Sequence, residues 1–310
     1  MKIVFFGLGS IGVRHLNIIK SSHDHEVYAF RTNRGQEKNN QNIEEIFSWA
    51  EFDNISPDVV FITNPTSMHV STAIKCAQRN CHMFIEKPID SSVDGLDTLL
   101  ELVKERKLST YVGYNLRFHP IIEYLRDKAI HEDLIHLNII SSSYLPNWRK
   151  GQDHKKSYSS ISALGGGVIL DLSHEIDYAS YLAGPIKSVR GQYGRLSDIT
   201  VDSEDYAELL LESKSGIMIN IAITFASHFR QRKVIADFMD KTISCDLEQG
   251  SIDTYVSESK VKSRNIEVNY DDIYAKQLDY FFSNMGTEMM NNIDDASSLF
   301  KMMLRVKHSQ

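Results

Sequence analysis

The sequence predicts an α/β protein: a doubly wound parallel sheet over residues 1–118, then an α+β domain over 119–310 with a large, mainly antiparallel sheet. Three observations predict it. The first 118 residues alternate short apolar strands with helix-spaced segments, the signature of βαβ units. From Ser188 onward that alternation gives way to long β-type runs separated by Gly, Ser and Asp turns. At 310 residues the chain exceeds one comfortable core.

Taken in order, Lys2 to Phe6 is a strand, KIVFF, and Gly7-Leu-Gly9-Ser-Ile-Gly12 follows at once, leading into a helical segment from Val13 to Lys20. Strand, G-x-G-x-x-G turn and helix together suit a dinucleotide. Gly7 allows the tight turn, Gly9 lets backbone approach a pyrophosphate, and Gly12 lets the helix pack on the strand. The helix N-terminus faces the phosphates with free N–H groups. The second strand, Glu26 to Phe30, ends where an acid would bind the ribose 2′-hydroxyl of NAD. Arg31, Thr32, Asn33 and Arg34 stand there instead, which suits the 2′-phosphate of NADP and leaves NAD as the alternative.

Gly35 to Asn42 reads as a loop, Ile43 to Ala50 as a short helix, and Asp58 to Thr63 as a buried strand. Asn64-Pro65-Thr66-Ser67-Met68-His69 opens the next helix, with Thr66 or Ser67 as its N-cap. Asn64 and His69 are candidate cofactor contacts, because ligands bind at the carboxyl ends of such strands; for His69 a local hydrogen bond at the helix start is an equal alternative. The strand Cys81 to Ile85 ends in Glu86-Lys87-Pro88, where proline forces an extended Lys87 to the strand's carboxyl end. A helix from Asp90 to Lys107 and a strand from Thr110 to Tyr114 complete the first domain.

In the second domain Pro120 to Ile130 reads as a helix and Leu134 to Tyr144 as an alternating strand. The loop after it packs Trp148, Tyr158 and five basic or imidazole side chains, Arg149 among them, into eleven positions. That mix suits a sugar or an anion, with rings stacking and cations pairing. Gly165-Gly166-Gly167 then precedes a helix from Val168 to Ala183, whose stripe Val168, Leu172, Ile176, Ala179 and Ala183 is apolar. Asp171, His174, Asp177 and Tyr178 fall on or beside the opposite face, which suits a cleft lining better than open solvent. Five or six strands follow, with Ser215-Gly216 as a hairpin turn, and one sheet face could serve a homodimer or homotetramer. Ile273 to Met285 and Asp295 to Arg305 are terminal helices.

Bulk properties narrow the function. A net charge of −7 argues against a nucleic-acid partner. Three scattered cysteines fit reduced thiols of a cytoplasmic protein and no metal site. The apolar run from Ile3 to Val13 contains three glycines and meets Arg14-His15, which reads as strand plus turn and not as a targeting segment. No run approaches the roughly 18 apolar residues of a membrane span.

The motifs GLGSIG at 7–12, TNP at 63–65 with His69, EKP at 86–88, GYNLRFHP at 113–120 and GGGVILDLSHEID at 165–177, in this order, resemble the Gfo/Idh/MocA family of glucose–fructose oxidoreductases and inositol dehydrogenases. The resemblance covers essentially the whole chain. It implies a Rossmann domain whose Gly7, Gly9, Ser10, Ile11, Gly12, Thr63, Asn64, Pro65 and Glu86 lie on the cofactor side. It implies a substrate side with Asn115, Arg117, Asp177 and the loop aromatics. Lys87 matches the family's active-site lysine and His174 its histidine. The implied reaction is hydride transfer between nicotinamide and a secondary hydroxyl or ketone of a sugar, polyol or nucleotide-linked sugar. The loop from Leu145 to Ser159 resembles a branch associated with surface-polysaccharide sugars. In one respect the chain departs: the family's D-x-x-x-H spacing would put an aspartate at 170, where Leu170 stands, and Asp171 precedes His174 by three. In this reading His174 is the general acid/base and Lys87 polarises the reacting oxygen, while Asp171 or Asp177 orients the histidine or binds a neighbouring hydroxyl. A non-catalytic NADP-binding sensor on the same scaffold is the competing reading.

Overall fold

The computed structural model describes residues 1–22, 24–32, 38–148, 153–199 and 202–308. The chain divides into two units, residues 1–114 with 274–298 and residues 115–273 with 299–310.

In the first unit, β1 (Lys2–Phe6), β2 (Glu26–Phe30), β3 (Glu44–Ile46), β4 (Val59–Ile62), β5 (His82–Ile85) and β6 (Thr110–Val112) form one all-parallel sheet. Its order is β3-β2-β1-β4-β5-β6. Helices α1 (Ser10–Ser22), α2 (Trp49–Ile55), α3 (His69–Ala77) and α4 (Leu96–Arg106) supply the crossovers. Strand order reverses at β1 and β4, so a crevice opens at their carboxyl ends. The register aligns Phe5 with Phe61, Phe61 with Phe84 and Phe84 with Tyr111. These four fully buried rings form a ladder across one face, with centroids 4.8, 4.9 and 5.4 Å apart. On the other face Phe6 stacks on Phe30, and Trp49 and Phe52 of α2 close over both. Each such ring contributes roughly 1.5–3 kcal/mol by burial, so the two ladders fix which helices cover which face.

The segment 43–50, expected as a helix, instead carries β3, and α2 begins at Trp49. Ser48 caps α2 by accepting from Glu51 N at 3.2 Å, and Glu51 accepts from Phe47 N at 2.9 Å. Ser48 Oγ also donates to Glu51 Oε1 at 3.0 Å, and this Ser-Glu pairing sets the start. Likewise α3 starts at His69 and not at a Thr66 or Ser67 cap: residues Thr66–Met68 form a 3-10 turn, and Asp90 accepts from Val70 N at 2.9 Å.

In the second unit, α5 (Pro120–His131) precedes the eleven-residue strand β7 (Leu134–Tyr144). The expected single helix over 168–183 is two, α6 (Val168–Asp171) and α7 (Ser173–Ala183), broken at Leu172. Strands β8 (Ile186–Gly194), β9 (Tyr206–Ser213), β10 (Met218–Thr224), β11 (Ala226–Phe238), β12 (Thr242–Asp246), β13 (Ser251–Val256) and β14 (Ser259–Asn265) complete an eight-stranded sheet. Its order is β14-β13-β12-β11-β7-β10-β9-β8, antiparallel except for β7 with β10. The sheet exceeds the five or six strands expected by β13 and β14, of which β14 is polar and exposed throughout and carries no alternation. Alternation sends Ile219, Ile221 and Ile223 inward, while Met218 and Asn220 face out. The outward face of β10 is therefore mixed in polarity. Helices α8 (Tyr270–Ser283) and α9 (Ile293–His308) each contribute residues to both units.

His119 caps α5: its Nδ1 accepts from Ile121 N at 3.2 Å and its Nε2 donates to Leu247 O at 3.2 Å. Burial pushes its pKa from 6.5 down to about 4. Its stabilisation is therefore complete above pH 6.5, the unfolded value, and is lost as the pH falls towards 4. The full effect is about 3 kcal/mol. Urea midpoints are expected to drop across this window for the native protein and to drop much less for His119→Asn; equal slopes would contradict the assignment.

Candidate active site

The first unit gathers its polar groups at the carboxyl ends of β1, β4 and β5. A Cβ added at Gly12 would collide with Gly7 O and with Thr63 Oγ1, and Gly7 itself has φ +106°. Thr63 Oγ1 donates to Gly7 O at 2.6 Å and so pins the turn to the end of β4. Gly9, in contrast, meets nothing among the described residues within 4 Å. Its carbonyl accepts from Val13 N at 2.9 Å, opening the thirteen-residue α1. Gly9 and Ser10 are exposed and Ile11 is half-buried. Backbone N–H groups at an open helix start beside a Cβ-free turn fit the pyrophosphate of a dinucleotide.

Around Lys87 the chain is tied from three directions. Both ring nitrogens of His69 face carbonyls, Nδ1 towards Pro88 O at 3.0 Å and Nε2 towards Asn64 O at 2.9 Å. His69 thus braces the ends of β4 and β5 against each other. Asn64 Nδ2 donates to Thr72 Oγ1 at 2.9 Å, and Pro65 is exposed. Asp90, buried beyond Pro88, accepts from Ser91 N as well as Val70 N. Glu86 is turned inward, with Oε1 2.6 Å from Nε2 of the fully buried His15. Lys87 itself is half-buried.

At the end of β2, Arg31 Nη1 donates to Glu45 Oε1 at 2.8 Å, and Asn39 donates to the same oxygen through N and Nδ2. Hydrogen bonds from Asn39, with Arg31 adding to them, hold the Glu45 carboxyl below its ordinary pKa. Thr32 is exposed beside this group; Arg34 lies outside the described residues.

In the second unit, Tyr158 OH donates to Asp171 Oδ1 at 2.6 Å. The break at Leu172 means that Asp171 and His174 do not share one continuous helix face. His174 is half-buried, while Asp171, Ser173, Glu175, Asp177 and Tyr178 are buried. Asp177 takes two bonds from Arg117, at 2.9 and 2.7 Å, and both are at most 8% exposed. Burial raises the Asp177 pKa and the guanidinium offsets part of that. These two residues form an internal tie that also carries the guanidinium over Tyr181. Asn115 is buried in the same 3-10 turn as Arg117. Trp148 packs edge-on against Phe225 and donates Nε1–H to Ser143 Oγ at 2.9 Å, with 37% of its surface exposed. Arg149 lies outside the described residues.

Several site-forming residues carried no motif. Glu204 fills the space left by Gly167, accepts from Ile169 N, and meets Lys307 Nζ at 3.1 Å. Lys307 also donates to Gly166 O. His15 was detectable, since it occupies the inward stripe Gly12, His15, Leu16, Ile19 of α1. Among the described residues no cluster of three or more His, Cys, Asp or Glu could hold a metal ion.

A parallel-sheet unit with a Cβ-free glycine turn, an arrangement that fits a dinucleotide, is joined in sequence to a sheet-and-helix unit carrying a buried acid beside a histidine. The chain belongs to the Gfo/Idh/MocA family: residues 1–114 match the oxidoreductase family with NAD-binding Rossmann fold, and residues 133–252 match the GFO/IDH/MocA C-terminal domain. It is 27% identical over 232 residues to myo-inositol 2-dehydrogenase of Thermotoga maritima, covering 70% of this chain and 66% of that protein. It is 24% identical over 196 residues to 2,7-anhydro-N-acetylneuraminate hydratase of Escherichia coli, covering 62% and 52%. To UDP-N-acetylglucosamine 3-dehydrogenase of Acidithiobacillus ferrooxidans it is 27% identical over 199 residues, covering 64% and 58%. The matches thus span under two thirds of these relatives' own lengths. A solved structure of the last protein superposes with a TM-score of 0.79 over 100% of this chain and 97% of that one, at 20% identity.

The Gly167 geometry makes a separate prediction. With φ +113° and the Glu204 carboxyl where a Cβ would lie, Gly167→Ala is expected to cost on the order of 2 kcal/mol or more. Gly9→Ala, with open space around it, should cost well under that. Equal urea midpoints for the two variants would contradict the packing described.

Proposed function

We propose that the protein is an NAD(P)-dependent oxidoreductase acting on a secondary hydroxyl or ketone of a sugar, polyol or nucleotide-linked sugar. The observation that carries this reading is the open Gly9 between two glycines that have no room for a side chain, at the start of α1 in a family of oxidoreductases. The names of the inositol and UDP-N-acetylglucosamine dehydrogenases support the substrate class.

The residues present fit a dinucleotide. Gly7, Gly9, Ser10, Ile11 and Gly12 would hold its pyrophosphate, and Thr63, Asn64 and Pro65 would flank it. Arg31, Thr32 and Arg34 favour NADP over NAD. Once bound, a nicotinamide supplies the acceptor or donor of hydride. In the oxidative direction the substrate carbinol must give up a C–H hydride, which the bound nicotinamide would accept, and an O–H proton. His174 takes the O–H proton, since imidazole titrates near neutral pH. Lys87 stabilises the developing alkoxide. Asp171, held by Tyr158, orients His174 or a neighbouring substrate hydroxyl. Asn115, Arg117, Trp148, Arg149 and Asp177 are assigned to the substrate side, Arg117 and Asp177 through their mutual tie.

Location and assembly follow the same reading. The cytoplasm suits its three buried free cysteines, of which burial pushes Cys81 and Cys245 up to about 12. No helix among the described residues is long and apolar enough to cross a membrane. Exposed Leu210 and Met218 on the open sheet face favour a homodimer or homotetramer through that sheet. The hydratase relative supports a second reading, water addition or removal on a sugar with no net redox change.

Thermal-shift titrations test the cofactor first. NADP(H) is expected to raise the melting temperature at lower concentration than NAD(H), and Gly9→Ala to fold normally yet lose that shift. No shift with either cofactor would remove the basis of the reading. Lys87→Ala and His174→Ala should keep the shift but lose turnover of a sugar found by screening, by roughly a hundredfold or more. Loss of binding in these variants would contradict their assignment. Consumption of the sugar at constant NADPH absorbance would favour the hydratase reading.

A further inference from the structure

Beneath Lys87 lies a buried polar pair that the reaction itself does not call for. His15 is fully buried and Glu86 is 7% exposed. Nε2 of His15 meets Glu86 Oε1 at 2.6 Å, and the other carboxylate oxygen accepts the backbone N–H of Lys87 at 3.2 Å. Room for this carboxylate exists because residue 113 is glycine: a Cβ there would stand 2.9–3.1 Å from its atoms. The imidazole lies edge-on to Phe84 and Tyr274, at 4.9 and 5.6 Å, and finds no other hydrogen-bond partner among the described residues, since Nδ1 has none there. Its whole polar engagement is therefore with Glu86.

Burying two polar groups in an aromatic layer is costly when an apolar pair of the same size would serve packing as well. What the polar pair adds is direction. His15 sits on α1, one turn beyond the glycine turn, and Glu86 is bonded through its backbone N to Ile62 O at the end of β4. The carboxylate is thus fixed from one side by α1 and on the other side fixes the peptide that carries Lys87.

We propose that His15 and Glu86 are positioning residues for Lys87, with the carboxylate relaying the placement of α1 to the lysine's backbone. Glu86, which the motif alone would put among the cofactor contacts, acts from beneath. The inference rests on the oxidoreductase reading only in taking Lys87 as the oxygen-polarising group.

The test compares three variants of the full chain: His15→Phe, which removes the donor; His15→Gln, whose amide restores it near Nε2; and His15→Phe/Glu86→Met, which makes the pair apolar. Melting temperature, hydrogen exchange of the Lys87 amide without cofactor, NADPH affinity and turnover are measured on each. His15→Phe strands a buried carboxylate and is expected to melt lower. The double variant is expected to recover the native melting temperature while the Lys87 amide still exchanges about tenfold faster. Its NADPH affinity should stay within about threefold while kcat falls roughly thirtyfold or more. His15→Gln should return exchange and turnover most of the way. Native exchange or native kcat in the double variant would overturn the proposal, because the pair would then be packing alone. Unimpaired turnover in Lys87→Ala would instead refute the assignment of Lys87, and the amide-exchange result would still decide the positioning claim.

Discussion

Strands β1, β4 and β5 are buried on both faces, and everything polar in the first unit follows from that. A strand sealed above and below cannot display a functional side chain along its length. Its chemistry must be placed where the ladder ends, and there the released backbone groups need partners. Thr63, His69 and Asp90 supply them, each joining one strand end to a neighbouring turn or helix, and Glu86 accepts the Lys87 N–H while meeting His15 of α1. The result is a loop region held by side-chain bonds as well as by the buried Pro88 and Ile89. Lys87 belongs to this braced region, and Gly9 stands where backbone has been stripped of obstruction.

The second unit solves a comparable problem with glycines and paired charges. Its entrance to α6 runs through Gly166 and Gly167, whose missing side chains admit Tyr158 O and the Glu204 carboxyl. Arg117 with Asp177 and Arg232 with Glu175 then anchor α7 from inside. Breaking such a buried pair by removing one partner is far more damaging than exchanging both. The helix carrying His174 is accordingly held by electrostatics on its buried side, while the histidine itself is half-buried.

Much of this was legible in the sequence, and the family's membership bears out the resemblance drawn from five motifs. Strand-turn-helix around the glycines, the apolar strands and the glycine break before 168 are all local patterns, so they could be read one window at a time. Non-local ties could not. Glu204 and Lys307 are 103 positions apart, and neither stands in a motif. Glu45 was invisible because Arg31 was read with its neighbours in sequence, as suiting a 2′-phosphate, whereas the structure pairs it with an acid fourteen residues on. The helix break at Leu172 had no proline or glycine to announce it. Strand β14 was missed because an exposed edge need not alternate, and β13, paired on both sides, has Ile252 as its one buried residue. His15 offered a signal, a polar residue on a core stripe, that is meaningful only once its partner is known.

The cover on β6 has a consequence for how the protein is made. That strand would present a bare row of amide groups, but Val112 N donates to Asn291 O, Asn291 Nδ2 donates back to Val112 O, and Ile293 N donates to Thr110 Oγ1. Roughly 180 residues separate the partners, a closure whose entropy is deferred until late in synthesis. Until then a nearly finished parallel sheet leaves the ribosome with one adhesive side. Handling by chaperones during that interval, and sensitivity of yield to temperature and expression rate, follow from this wrapping of the chain's later residues around its earliest sheet.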